Sequence, residues 1–224
     1  MKILALIPAR GGSKRIPHKN IKPFLGKPII AYSIETAKKS GLFDEIIVST
    51  EDDKIAEVAK QYGASIPFMR SKEKADDYTP LNEVIIEVKE KYKSLGKAFD
   101  YICMILPTAP FITVENLKKG FELLKNSDFD SVRPVVRFDF PIQRAFRLKD
   151  NGLVEPMFPD LFPKRSQDLE PAYHDAGQFY WMKGDKDLSR NKGAFEISPV
   201  LAQDIDTPDD WEMAEAKYKI LFND

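Results

Sequence analysis

The sequence predicts an α/β fold in three layers, a mostly parallel sheet with helices on both faces. Three observations predict it. Short apolar runs at 3–7, 45–49 and 101–106 alternate with longer segments of helical period. The runs end in loops rich in Gly, Pro or charge, as β-loop-α units do. The 224 residues, 43% hydrophobic and 31% charged, can bury one large core without a disulfide or a structural metal.

The elements follow in order. Residues 3–7 read as a strand covered on both faces, and 9–20 as a Gly-rich basic loop. Residues 28–39 read as a helix: Ile29, Tyr32, Ser33, Thr36 and Ala37 form its apolar stripe, Pro28 suits its first turn and Gly41 its stop. A second strand is predicted over 45–49. A second helix is predicted over 53–62, with Asp52 as N-cap and Gly63 past its end. Residues 66–70 read as a short extended piece. Thr79-Pro80 opens a third helix that runs to about Leu95 and is ended by Gly96. The third strong strand, 101–106, stops at Pro107-Thr108-Ala109-Pro110, where two prolines force a loop. Thr113 caps a helix over 114–125, and 130–136 returns to a strand.

From 137 to 176 the pattern changes. Prolines recur at 141, 156, 159, 163 and 171 and periodicity is poor, but the many aromatics argue against disorder. This stretch reads as a small lobe of short strands and loops inserted into a single domain of 1–224. Later strands are expected at 177–182 and 197–200. Thr207-Pro208-Asp209-Asp210 is a helix start with Thr at the N-cap, Pro at N1 and an acid at N3, and Trp211, Ala214, Tyr218 and Leu221 follow at helical spacing.

Composition excludes several classes. Lys+Arg of 34 against Asp+Glu of 35 leaves a net charge of −1, so neither a general nucleic-acid binder nor a polybasic membrane binder is expected. Cys103, the single cysteine, lies in an apolar run and reads as a small buried hydrophobe. One Cys and two His cannot build a Cys/His metal cluster. The apolar run at 3–8 is too short for a signal segment, which leaves the cytoplasm as the expected compartment.

The stretch from Pro8 to Asn20 carries the most chemistry. It follows the first strand and so falls at the carboxyl edge of the sheet, where such folds bind ligands. Gly11 and Gly12 let backbone amides approach an anion, and Arg10, Lys14, Arg15 and Lys19 supply charge for several phosphates. Neither G-x-x-x-x-G-K-[ST] nor G-x-G-x-x-G is present, which argues against a P-loop hydrolase and a nicotinamide oxidoreductase. The bland alternative is a solvated basic loop.

Near the other end stand Asp204 and Asp206. At i, i+2 in an extended segment two carboxylates share a face and suit Mg²⁺; they equally suit the approach to a helix N-terminus. In the lobe, Arg165 with Gln167 and Asp168 offers either a grip on a substrate carboxylate or a loop ion pair. His174-Asp175 suggests acid/base work or a structural contact. Phe179, Tyr180 and Trp181 read as packing rather than a base-stacking site. Asp76-Asp77-Tyr78-Thr79 precedes a helix, with Thr79 as a cap.

Ile7-Pro8-Ala9-Arg10-Gly11-Gly12-Ser13-Lys14 with Lys19-Asn20-Ile21 resembles the signature loop of the cytidylyltransferases that activate nonulosonic acids, the CMP-sugar synthetases of sialic-acid type. The resemblance continues through Val48-Ser49-Thr50-Glu51-Asp52, Pro107-Thr108-Ala109-Pro110 and Gln203-Asp204-Ile205-Asp206-Thr207-Pro208, and so spans nearly the whole chain. Residues 165–169 (Arg-Ser-Gln-Asp-Leu) and 173–181 resemble the branch acting on pseudaminic acid. The sialic-acid branch usually reads Arg-Arg-Gln-Asp and Asn-Gly-Ala there, and Gln where this chain has Leu106.

The resemblance implies a Rossmann-like nucleotidyltransferase fold and transfer of CMP from CTP to the anomeric hydroxyl of a nine-carbon sugar acid. Pseudaminic acid is the leading acid, with N-acetylneuraminic or legionaminic acid as alternatives. A non-catalytic nucleotide-sugar binding module is the alternative of a different class. The implied catalytic residues are Arg10, Lys14, Lys19 and Asp206. Ala9, Arg10, Gly11, Gly12, Ser13, Lys14, Asn20, Arg70 and Thr79 would bind nucleotide, and Arg165, Gln167, Asp168 and His174 the sugar acid. Asp204 and Asp206 would hold Mg²⁺ or Mn²⁺. The resemblance also implies a homodimer whose inserted lobe reaches the neighbour's site.

Overall fold

Strand β1 (Ile3–Pro8) is buried along its whole length, and its alternate residues feed two cores. Ile3, Ala5 and Ile7 face one layer; Leu4 and Leu6 face the other. The computed structural model describes residues 1–76 and 79–222. A two-residue hairpin follows β1, β2 (Pro23–Phe24) and β3 (Lys27–Pro28). Its turn, which the sequence did not announce, places both Leu25 (φ 48°) and Gly26 (φ 84°) in the left-handed region that tight hairpins require.

Helix α1 (Ile29–Ser40) ends at Gly41 with φ 66°. It leads to β4 (Glu45–Ser49) and α2 (Asp53–Gln61), where Asp52 Oδ1 accepts the Lys54 and Ile55 amides at 2.8 and 3.1 Å. Then come α3 (Leu81–Ser94), β5 (Tyr101–Ile105) and α4 (Val114–Lys125), the last capped by Thr113 as predicted. After β6 (Ser131–Arg137) the chain leaves the sheet. It forms an exposed hairpin of β7 (Phe146–Leu148) and β8 (Val154–Pro156) and returns as β9 (Tyr173–Asp175) against β6. Strands β10 (Phe179–Lys183) and β11 (Lys192–Glu196) and helix α5 (Pro208–Phe222) complete the chain.

The main sheet runs β11-β6-β10-β5-β1-β4, with β9 beside β6. β4, β1 and β5 are mutually parallel, as are β6 and β11, while β10 runs antiparallel to both β5 and β6. Helices α1, α2 and α4 cover one face and α3 the other. A third core joins Ile16 of the basic loop, Phe24, Tyr32, Ile205 and Trp211 of α5.

One expectation is corrected. The strand expected at 197–200 is instead β11, and Pro199–Leu201 forms a 3₁₀ turn with Pro at its start. β11 was hidden by Gly193, a poor strand former. It is required there because a Cβ would overlap the Phe129 ring. Residues 66–70, read as a short extended piece, join no sheet; one bridge, Ser65 to Ile47, precedes them.

Candidate active site

A cleft of about 260 Å³ opens at the carboxyl ends of β1 and β5. The chain crosses from β1 to β4 on one side and then returns to β5 on the other, so this is the point where strand order reverses and where open α/β sheets take ligands. The cleft is lined by five cationic side chains, Arg10, Arg15, Lys19, Arg70 and Lys74, against two carboxylates, Asp76 and Asp206. That excess of charge suits a polyanion.

The basic loop is closed from behind by its own residues. Asn20, 5% exposed, donates Nδ2 to the Arg10 carbonyl at 2.8 Å. Ser13 donates its amide to the Gly11 carbonyl at 3.0 Å. His18 holds the left-handed conformation (φ 52°) and so turns the chain into the 3₁₀ segment Lys19–Ile21. From there Lys19 Nζ donates to the Ile205 carbonyl at 2.6 Å and reaches Asp206 Oδ1 at 3.2 Å. Arg15 Nη2 stands 2.9 Å from the same carboxylate oxygen. The loop near the start of the chain and the acidic segment near its end therefore meet.

The carboxylate segment is held by the head of α5. Asp210 Oδ2 accepts the Asp206 and Thr207 amides at 3.0 and 2.8 Å, and Thr207 Oγ1 accepts the Asp210 amide at 3.2 Å. These reciprocal hydrogen bonds keep the Asp210 carboxyl below its usual range, Thr207 contributing most. Asp206 lines the cleft and Asp204 does not; Asp204 is exposed, beyond the buried Ile205. Asp206 already attracts two cations, and hard carboxylate oxygen beside a phosphate-sized cleft suits Mg²⁺, which takes one or two protein carboxylates plus substrate phosphates. The donor set fits that ion. Among the described residues no group of three or more His, Cys, Asp or Glu is arranged around a metal position.

On the opposite wall Arg70 is 7% exposed. Its Nε donates to Ser49 Oγ at 3.1 Å and its Nη2 to the Ser49 carbonyl at 2.5 Å. Burial, and to a smaller extent the Arg10 charge, lower its pKa, while Glu51 and Glu87 oppose them. Glu87 accepts the Ser71 amide at 2.9 Å and Lys91 Nζ at 2.6 Å, which fixes the segment that presents Arg70. Thr79 donates both its amide and its hydroxyl to Asp76 Oδ1 at 2.6 Å. Asp77 and Tyr78 of that predicted stretch lie outside the described residues.

Of the residues singled out from the sequence, Arg10, Ser13, Lys19, Asn20, Arg70, Thr79 and Asp206 line this one cleft. Ala9 is buried behind it and donates its amide to the Ser49 carbonyl at 2.9 Å. Gly12 and Lys14 lie on the exposed outer side of the loop. The Gly11 amide, expected to face an anion, donates instead to Glu51 Oε1 at 2.7 Å. A Cβ at Gly11 would overlap Asp52 Oδ2, so glycine there serves close approach to the head of α2. Arg165, Gln167, Asp168 and His174 do not line the cleft of their own chain. Arg165 Nε pairs with Asp168 Oδ2 at 2.9 Å, and His174 Nδ1 lies 2.9 Å from the Asp175 carbonyl. In the sequence Arg15 signals only loop charge. Lys74, Pro107 and Thr108 were not assigned to the site; the 107–108 pair, directly after a strong strand, carried the usable signal.

Three comparisons with known proteins bear on the chain's family and fold. Residues 4–155 match the family described as Cytidylyltransferase. The chain is 42% identical over 226 residues to pseudaminic acid cytidylyltransferase of Campylobacter jejuni, covering 98% of this chain and 97% of that one. It is 35% identical to CMP-N,N'-diacetyllegionaminic acid synthase of Legionella pneumophila, with 96% and 95% covered. The solved structure of CMP:2-keto-3-deoxy-manno-octonic acid synthetase complexed with CTP superposes with a TM-score of 0.72 at 18% identity, covering 96% of this chain and 98% of that one.

Proposed function

We infer the reaction from one premise: the chain belongs to the cytidylyltransferase family. It transfers CMP from CTP to the anomeric hydroxyl of a nonulosonic acid, with pseudaminic acid as the acceptor. The observation that carries this reading is the meeting of the cationic loop with Asp206 in a cleft at the strand-order reversal. The acceptor is inferred from the identity to the Campylobacter relative together with Arg165-Ser166-Gln167-Asp168 and 173–181.

The anomeric oxygen forms a bond to the α-phosphorus of CTP, the bond from that phosphorus to the bridging oxygen breaks, and pyrophosphate leaves. The hydroxyl proton is released. Little covalent work falls to the protein, which aligns nucleophile and leaving group and neutralises charge. Arg10 and Lys19 face the triphosphate from the loop side, with Lys14 at its outer edge. Arg70 and Thr79 bound the opposite wall and take the nucleoside. Asp206 would hold Mg²⁺ or Mn²⁺, which when bound neutralises phosphate oxygen and lowers the pKa of the attacking hydroxyl; Asp204, outside the cleft, is not in place to share it. Lys19, tied to the Ile205 carbonyl, keeps Asp206 aimed at the cleft.

The sugar-binding residues reach this site from a second copy. Phe140 is 86% exposed and Leu148 72% exposed on the lobe, an apolar surface that suits a contact with a second copy. In a homodimer the lobe would carry Arg165, Gln167, Asp168 and His174 to the partner's cleft. A CTP-consuming reaction fits the cytoplasm. No described helix is long and apolar enough to cross a membrane.

The test is pyrophosphate release from CTP with Mg²⁺ and each of pseudaminic, legionaminic and N-acetylneuraminic acid, with UTP, ATP and EDTA as controls. Release with pseudaminic acid and CTP, abolished by EDTA, is expected. No release with any of the three acids would leave a binding module.

A further inference from the structure

The two cations on Asp206 are held differently. Lys19 Nζ is anchored by the Ile205 carbonyl at 2.6 Å and its side chain is 19% exposed. The Arg15 side chain is 66% exposed and meets Asp206 Oδ1 at 2.9 Å, while the next residue, Ile16, is 2% exposed and fixes the backbone in the third core. Arg15 is thus an exposed side chain on a fixed stem, and it lines the nucleotide cleft. Arg15 and Lys19 both sit on Asp206 Oδ1, while Asp210 is turned to the Asp206 and Thr207 amides. A divalent ion approaching Asp206 alone meets both cations at the oxygen it needs, and arginine does not deprotonate to yield it. A triphosphate in the cleft offers the guanidinium a bidentate partner richer in charge than Asp206.

We propose that Arg15 is a latch on the metal carboxylate: it occupies Asp206 while the cleft lacks nucleotide, keeps a free divalent ion off, and moves to the triphosphate when nucleotide brings the ion in. This rests on Asp206 being the metal carboxylate of the reading above. Arg15 is a positioning residue here, acting through Asp206.

The test measures Mn²⁺ binding to the full chain without nucleotide, by the loss of the free-ion electron paramagnetic resonance signal. Arg15→Gln should bind Mn²⁺ about ten-fold more tightly than the parent, the order expected for removing one unit charge beside a divalent ion in largely aqueous surroundings. Arg15→Lys, which keeps the charge, should stay close to the parent. Arg15→Gln combined with Asp206→Asn should lose the gain. An unchanged Mn²⁺ affinity in Arg15→Gln overturns the proposal, as does a gain that survives Asp206→Asn. A gain that depends on Asp206 in a chain releasing no pyrophosphate from CTP keeps the latch and removes the transfer reading instead.

Discussion

Lys19 Nζ and Asp206 Oδ1 stand 3.2 Å apart across 187 residues of sequence. Neither reaches the other by local geometry. Ile16 and Ile205, their near neighbours, are buried in the same small core with Phe24 and Trp211, so apolar packing sets the distance between the charged groups. The charged pair is partly exposed and itself adds little stability; the core beneath it does that work.

Asp206→Asn should therefore fold normally and lose turnover. The segment is held through the Asp206 amide and Asp210, not through the carboxylate. Loss of metal-assisted charge neutralisation worth several kcal/mol corresponds to roughly a hundred-fold or more in kcat. Pyrophosphate release and a thermal melt measured together check this; normal turnover at ordinary Mg²⁺ would remove the metal assignment.

The two loop glycines should respond differently to alanine. At Gly11 a Cβ would overlap Asp52 Oδ2, with Asp52 Cβ at 3.2 Å, whereas at Gly12 nothing lies within 4 Å. Gly11→Ala should cost about 1–3 kcal/mol in urea unfolding and raise the KM for CTP as the loop shifts off Glu51. Gly12→Ala should leave stability unchanged within about 0.5 kcal/mol. Equal effects at the two positions would contradict the clamp.

Glu87 should give the fold an acid-sensitive component. Burial pushes its carboxyl up, but the hydrogen bonds from Lys91 and the Ser71 amide outweigh that and hold it below the ordinary 4.5. A depressed folded-state pKa means the native chain binds fewer protons, so this contribution is complete above 4.5 and is lost as pH falls through the folded value. Glu87→Gln should lower Tm at pH 7, and the gap to the parent should narrow as the pH is taken from 6 towards 3. A gap that stays constant or widens would refute the assignment.

If the lobe serves a second copy's cleft as proposed, complementation follows. Arg10→Ala and Arg165→Ala chains should each be nearly inactive alone. Mixed after co-expression, half of the dimers would be heterodimers with one intact site of two, restoring about a quarter of parental activity. No recovery in verified heterodimers would place both residues in the same subunit's reaction.

The sequence made punctuation and two-sided burial legible. The strand at 45–49 and the helix at 114–125 were placed at their observed ends because Ser-Thr-Glu-Asp and Thr113 are chemical boundaries. Strand direction was not legible. β10 reads like its neighbours and runs antiparallel, which is set by pairing with β5 and β6, not by its own residues. β11 is not legible because Gly193 makes sense only against Phe129 and Phe195 only against Phe179. In the site, residue types named the loop and the acid, whereas the Glu51 hold on Gly11 and the Arg15 contact with Asp206 depend on tertiary placement that no periodicity reports.

The third core has a consequence for biosynthesis. Its members come from the first thirty-two residues, from Phe111, and from Ile205 onward, so it cannot close until Trp211 and Ala214 are available. A chain in which α5 has not packed lacks the Trp211 and Ala214 side of that core, and with it the apolar support beneath the Lys19–Asp206 contact.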